Sequence, residues 1–197
     1  MEIHSYFSSL IGFVYNPEHS KLEKKLIKKC FKLKEKIKKG GNNWLSKNTY
    51  NTLSTYNLIN DKDFLPLQNF INESVLNYCN ELKIDTSNLN KSPNYGWFNL
   101  YNKYDYQEYH IHGDSIISTI YFLKCDDDSA RTFFKTTINE MSKIKYIEHS
   151  HLTYKDIQIV PKPGLLVIFD SSLPHCVEQH MSKKPRISLA YNYKELN

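Results

Sequence analysis

The chain has 197 residues, of which 40% are apolar and 14% aromatic with only six glycines, a globular composition with enough apolar residues for a sizeable core. No apolar run reaches the roughly 18 residues of a membrane span, "MEIHSYFSSLIGFVY" lacks the basic head and long apolar stretch of a secretory signal, and four scattered cysteines without a CxxC pair suit a reducing, cytoplasmic setting. The net charge of +5 is local: residues 21–39 hold ten lysines and two glutamates, which is +8 and leaves −3 for the rest.

In chain order, residues 18–39 read as an amphipathic helix. Leu22, Leu26, Cys30, Leu33 and Ile37 make one apolar stripe, and Gly40 and Gly41 end it. Its lysines fall on the other face and read as solvated, since the run has no arginine and little aromatic interleaving. Residues 61–84 read as a second helix with Pro66 in its first turn. After residue 92 the pattern changes to short β-like runs at 95–103, 107–112, 115–124, 131–137, 156–161, 164–171, 174–179 and 186–194. Eight strands with these turn signals predict a mainly β domain, a double-sheet jelly roll. The whole chain, 1–197, reads as one domain, with a helical part at 1–92 bracing a barrel at 93–197.

The stretch "YHIHGDS" (109–115) concentrates the chemistry. Strand side chains alternate faces with period two, so His110 and His112 point the same way, and Asp114 joins them if the strand continues. A second cluster holds His175, Arg186 and Ser188. A jelly roll brings early and late strands together. Two neighbouring ligands and a distant histidine then suit a facial triad on Fe(II), which leaves positions open for substrate and oxygen. An arginine inside a barrel needs an anion, and a carboxylate gripped bidentately is the natural guest.

On "WFN" (97–99), "YQEYHIHGDSIISTIYFL" (106–123), "VPKPGLLVIFDSSLPH" (160–175) and "PRISLAYN" (185–192), the chain resembles the Fe(II)- and 2-oxoglutarate-dependent oxygenases, in a compact microbial and phage branch related to prolyl 4-hydroxylases. The resemblance implies a jelly roll (double-stranded β-helix) fold. Its cofactors are Fe(II), 2-oxoglutarate as co-substrate and O2. It implies oxidation of 2-oxoglutarate to succinate and CO2, coupled to hydroxylation of an amino-acid side chain, prolyl among the candidates, in a peptide or a free amino acid. His112 and His175 are implied metal ligands. The third is either His110, in an all-histidine set, or Asp114, in the common HxD pattern. Arg186 and Ser188 hold the far carboxylate of the co-substrate. Prolyl hydroxylases usually carry a co-substrate-binding tyrosine where Phe122 stands; Tyr101, Asn99 or Ser188 supply the missing polar contact. Trp97, Ser118, Ile120 and Phe122 outline the substrate pocket.

Three other readings compete. One is oxidation or demethylation of nucleic-acid bases by the same chemistry, supported only by the lysine helix. Another is a cupin-like jelly roll that binds without turnover, and the third a three-histidine thiol dioxygenase. His4, His19 and His180 read as structural, the HxH of "EHSH" (148–151) as a polar stretch, and Cys176 as a core thiol. No nucleic-acid or membrane partner is expected.

Overall fold

The computed structural model describes residues 2, 8–41, 44–136, 144–150 and 153–196. The elements run β1 (Ile11–Tyr15), α1 (His19–Lys36), β2 (Tyr50–Asn51), α2 (Leu65–Glu81), β3 (Tyr95–Tyr101), β4 (Gln107–His110), β5 (Ile117–Lys124), β6 (Thr132–Lys135), β7 (Asp156–Ile159), β8 (Leu165–Asp170), β9 (His175–Val177) and β10 (Arg186–Tyr193). Two 3-10 turns, Leu58–Asn60 and Lys62–Phe64, precede α2. All eight expected strands form, each shorter than its sequence run; Thr137 of the expected 131–137 run lies outside the described residues.

Both helices are also shorter than expected. The lysine helix closes when Ile37 N–H donates to the Leu33 carbonyl at 2.7 Å. Gly40 and Gly41 do not cap it. They let the chain run against β2, where Gly41 N–H donates to the Asn51 carbonyl at 2.8 Å and a Cβ on Gly41 would lie 2.3 Å from Asn51 Oδ1. At the start of the second helix the Asp61 carboxylate accepts from Asp63 N–H (3.0 Å), from Tyr56 Oη (2.8 Å) and from Lys29 of α1 (2.8 Å). This buried acid turns the segment into 3-10 turns before α2 begins and ties the two helices together.

The strands form two antiparallel sheets, a six-stranded one in the order β1-β8-β5-β10-β3-β2 and a four-stranded one in the order β4-β9-β6-β7. This is a jelly roll. Between the sheets, Ile120, Phe122, Val167 and Phe169 pack with Phe134. On the outer face of the large sheet, Tyr121, Leu123, Leu166, Ile168, Ile187 and Leu189 meet Leu26, Cys30 and Leu33 of α1 and Ile71, Val75 and Cys79 of α2. The large sheet is therefore apolar on both faces, which is why "SIISTIYFLK" and "GLLVIFD" read as near-continuous apolar runs.

β1 and β2 were not expected. They come from the N-terminal part and extend the large sheet at its two edges, so that part does more than brace. The signal for β1 is weak because an edge strand leaves Phe13 and Tyr15 exposed, and Gly12, its second residue, makes room for the Tyr78 ring, which a Cβ would approach to 2.8 Å. Among the described residues no helix is long and apolar enough to cross a membrane.

Candidate metal and anion site

Pairing of β4 with β9 sets His110 directly across from His175. His112 lies just beyond β4, not on it as expected. Its N–H donates to the Ser171 carbonyl at 2.9 Å, which holds it beside the other two. One ring nitrogen from each of the three histidines falls within 4.8 Å of the others, the sole such His/Cys/Asp/Glu group among the described residues.

Hydrogen bonds decide which nitrogens converge. His110 Nδ1 faces the Glu108 carbonyl at 2.9 Å, and His175 Nδ1 faces the Leu173 carbonyl at 3.0 Å. A carbonyl only accepts, so each Nδ1 carries the proton and each Nε2 keeps its lone pair. His112 Nδ1 sits 2.9 Å from Asn192 Oδ1 and 2.7 Å from Ser118 Oγ, which is itself bonded to Ser171 Oγ at 2.7 Å. Its Nδ1 donates there by the same logic. Three Nε2 lone pairs are thereby presented, each fixed from behind by an acceptor, the arrangement that orients imidazole ligands.

Burial keeps these rings neutral. It lowers the pKa of His110, lowers that of His112 to about 4, and takes that of His175 well below the ordinary histidine value, with the neighbouring histidines opposing protonation of His112 and His175 further.

Asp114 stands apart. Its side chain is 90% exposed and lies 3.6 Å from Lys194 Nζ. The chain turns immediately after His112, where Ser115 N–H donates to the His112 carbonyl at 3.0 Å, so Asp114 does not continue the strand alternation that would have turned it inward.

The three histidines open onto a cavity lined also by Trp97, Asn99, Tyr101, Gln107, Thr132 and Arg186 among others. Arg186 is fully buried. Its guanidinium stacks over Tyr101 at 4.7 Å and Phe122 at 5.1 Å. Nη2 donates to Thr132 Oγ1 at 3.2 Å and Nη1 to Ser188 Oγ at 3.4 Å, while Nε has no partner among the described residues. Among the described residues no carboxylate pairs with it, and burial lowers its pKa from the ordinary arginine value. A buried cation in that state calls for an anion. Trp97 Nε1 and Asn99 Oδ1, both buried in the same wall, also have no partner.

Of the residues singled out in the sequence, Trp97, Asn99, Tyr101, Ile120 and Ser188 line the cavity. Ser118 and Phe122 face inward without reaching it. Ser118 lies behind His112, and Phe122 lies beneath the Arg186 guanidinium. His19 bonds Tyr121 Oη at 2.8 Å. Buried His180 accepts from Ala130 N–H at 3.1 Å and donates to the Lys184 carbonyl at 2.8 Å. Cys176 is half-buried, not a core thiol as expected, because β9 turns it toward the outer face of its sheet. His149 stacks on Tyr154, while His4 and His151 lie outside the described residues.

Gln107, Thr132 and Asn192 were missed. Asn192 had a usable signal, since it shares the face of β10 with Arg186, Ser188 and Ala190. Thr132 had none, because its distance from Arg186 in sequence hides a contact made by sheet packing. Gln107 was hidden by the alternation rule itself. Between Gln107 and His110 the pairing with β9 slips by one residue, from Gln107↔Val177 to His110↔His175. This β-bulge turns two residues of opposite parity to the same side.

The model of a 2OG-Fe(II) oxygenase family matches residues 95–192. No curated protein matches the chain significantly. Among solved structures, a Pseudomonas putida prolyl-4-hydroxylase is similar over 96% of this chain and 94% of its own, at 12% identity and a TM-score of 0.65. The viral collagen prolyl hydroxylase of Paramecium bursaria Chlorella virus-1, in its 2OG complex, matches over 95% of this chain and 96% of its own, at 13% identity and a TM-score of 0.61. A Trichoplax adhaerens prolyl hydroxylase, solved with a hypoxia inducible factor peptide fragment, matches over 94% of this chain and 83% of its own, at 14% identity and a TM-score of 0.66. At these identities the likeness is one of fold.

Proposed function

Because the chain belongs to the Fe(II)- and 2-oxoglutarate-dependent oxygenases, we propose that His110, His112 and His175 hold its iron and that Arg186 anchors its 2-oxoglutarate. The reading rests above all on one observation: a fully buried arginine, with no acid partner among the described residues, closes a cavity that three neutral, convergent histidines open onto. The donor set fits. Neutral imidazole nitrogens suit Fe(II), and three of them leave coordination positions free. When bound, the metal and co-substrate activate O2 to oxidise a C–H bond, with 2-oxoglutarate leaving as succinate and CO2.

The chain's own groups do the placing. Arg186 offers charge-assisted donors to a terminal carboxylate, with Thr132 and Ser188 fixing its plane. The Tyr101 and Phe122 rings stack against the guanidinium and hold it in place, so at Phe122 stacking stands where a hydroxyl contact is missing. Ser118, Ser171 and Asn192 keep His112 in one tautomer. His110, and not Asp114, is the third ligand in this reading, since Asp114 is turned to solvent and Lys194.

The substrate is an amino-acid side chain in a peptide or a free amino acid, prolyl first among the candidates. The unpaired Trp97 N–H donor and Asn99 Oδ1 acceptor in the cavity wall suit an amide, and the prolyl hydroxylases of similar fold, one of them peptide-bound, support this choice. Base oxidation has less support, because α1 packs on the outer face of the large sheet and its lysines do not line the cavity. The helical part and the barrel act as one unit, in a reducing, cytoplasmic setting that suits four free cysteines.

The test is anaerobic loading with Fe(II), with and without 2-oxoglutarate. The visible charge-transfer band of the chelate should appear only with both, and should be lost in His175→Ala and in Arg186→Ala at modest 2-oxoglutarate. Succinate release should then rise when prolyl peptides are added. A wild-type protein without the band would overturn the metal and co-substrate reading, and succinate release that neither prolyl peptides nor free amino acids raise above the uncoupled rate would overturn the substrate reading.

A further inference from the structure

The β-bulge that turns Gln107 inward places its carboxamide between the two halves of the site. Tyr101 Oη and Gln107 Oε1 are 3.0 Å apart, and Gln107 Nε2 and His110 Nε2 are 3.3 Å apart. The directions follow from His110. Its Nδ1 proton is committed to the Glu108 carbonyl, so its Nε2 can only accept, and Gln107 must present its NH2 group there. Gln107 Oε1 is then left facing Tyr101, whose hydroxyl donates to it. The ring of Tyr101 in turn carries the Arg186 guanidinium on its face. One chain of contacts thus runs from the buried cation to the lone pair of His110.

We propose that Gln107 is a positioning residue that guards His110 in the metal-free protein and, once metal takes that lone pair, lends its N–H to the co-substrate. The inference rests on the reading of the site given above. The His110 lone pair cannot serve both Gln107 and a metal. Metal binding therefore costs the Gln107–His110 hydrogen bond and leaves a buried N–H donor without an acceptor. Gln107 is buried and lines the cavity, so the acceptor nearest to hand is an oxygen of the ligand that enters beside the metal. The 2-oxoglutarate chelate brings such oxygens. Metal and co-substrate are then coupled through one side chain: the metal frees the donor, and the co-substrate satisfies it.

The coupling predicts opposite effects on two affinities, which a merely structural residue would not produce. Gln107→Met keeps the length and removes the donor. Co(II), a redox-stable probe, titrated calorimetrically into the metal-free variant should bind about fivefold more tightly than to wild type, because no hydrogen bond is lost. 2-Oxoglutarate titrated into the Co(II)-loaded variant should bind about tenfold more weakly, because a charge-assisted donor is missing. Gln107→Glu, with an acceptor where the donor stood, should show the same divergence and guards against a folding defect particular to methionine. Parallel weakening of both ligands in both variants, or no change in either, would overturn the proposal. If His175→Ala abolishes Co(II) binding while Gln107→Met matches wild type, this inference alone falls. Failure of wild type to bind Co(II) would overturn the site reading beneath it.

Discussion

Replacing Arg186 with methionine should separate its proposed service to the co-substrate from its cost to the fold. The guanidinium is wholly buried, has no carboxylate partner among the described residues, and donates to Thr132 and Ser188 at 3.2 and 3.4 Å. Burying an unpaired ion costs several kcal/mol. Stacking over Tyr101 and Phe122 returns about 2 kcal/mol where the cation is desolvated. Methionine fills much of the same volume without charge, so the ligand-free variant should be more stable than wild type, by on the order of 1 kcal/mol. Its affinity for 2-oxoglutarate should fall steeply. Loss of a buried charge-assisted contact costs about 2–5 kcal/mol, a factor of about thirty to several thousand in Kd. Iron affinity should hold, because the hydrogen bonds that orient the three histidines do not involve Arg186. The assays are urea unfolding of metal-free protein and calorimetric titration of 2-oxoglutarate into metal-loaded protein. Unchanged 2-oxoglutarate affinity would remove Arg186 from the co-substrate site. A strongly destabilised ligand-free variant would show that the guanidinium is already satisfied without an anion.

Alanine at His110, His112 or His175 should each abolish tight Fe(II) binding by equilibrium dialysis, while Asp114→Ala, at an exposed side chain that faces Lys194, should bind as wild type; the reverse result for His110 and Asp114 would restore the carboxylate-containing triad. Metal-free protein should lose stability as pH falls from about 6.5 toward 4. Burial lowers the pKa of His112 to about 4, so across that window the unfolded chain binds a proton that the folded one refuses, at a cost of roughly 3 kcal/mol for His112 alone; stability to urea that is flat or rising from pH 7 to 5 would contradict it. Changing the exposed Lys24, Lys28, Lys32 and Lys39 to glutamine should alter stability by no more than about 1 kcal/mol per site and leave uncoupled 2-oxoglutarate turnover alone. Leu26→Ala, at a fully buried position between α1 and the large sheet, should cost about 2–5 kcal/mol in the same unfolding assay.

Much of the architecture is carried by local signals. The stripe Leu22, Leu26, Cys30, Leu33, Ile37 repeats at helical spacing, and burial of Leu26, Cys30 and Leu33 follows from it. Pro66, in the first turn of α2, marks where the chain can enter a helix. The turn residues around each strand delimit all eight runs after residue 92. His110, His112, His175, Arg186 and Ser188 could be picked out because their residue types are rare inside a barrel and their spacing has meaning on a strand. In each case the determinant is short-range: a period, a turn residue, or a pair two positions apart.

Tertiary structure decided what depends on pairing. Whether His110 or Asp114 joins the other histidines was open in "HIHGD", because both lie an even number of residues from His112. The Ser171 carbonyl and the turn after His112 resolve their placement, and neither is visible locally. Thr132 reaches Arg186 only because the small sheet packs over the large one. β1 joins β8 across some 150 residues of intervening chain, with its register set by a partner strand and not by its own pattern. Gln107 is the sharpest instance. Alternation puts it on the face opposite His110, and only the one-residue slip against β9 turns both inward. A bulge is a property of two strands together, so no reading of one strand contains it.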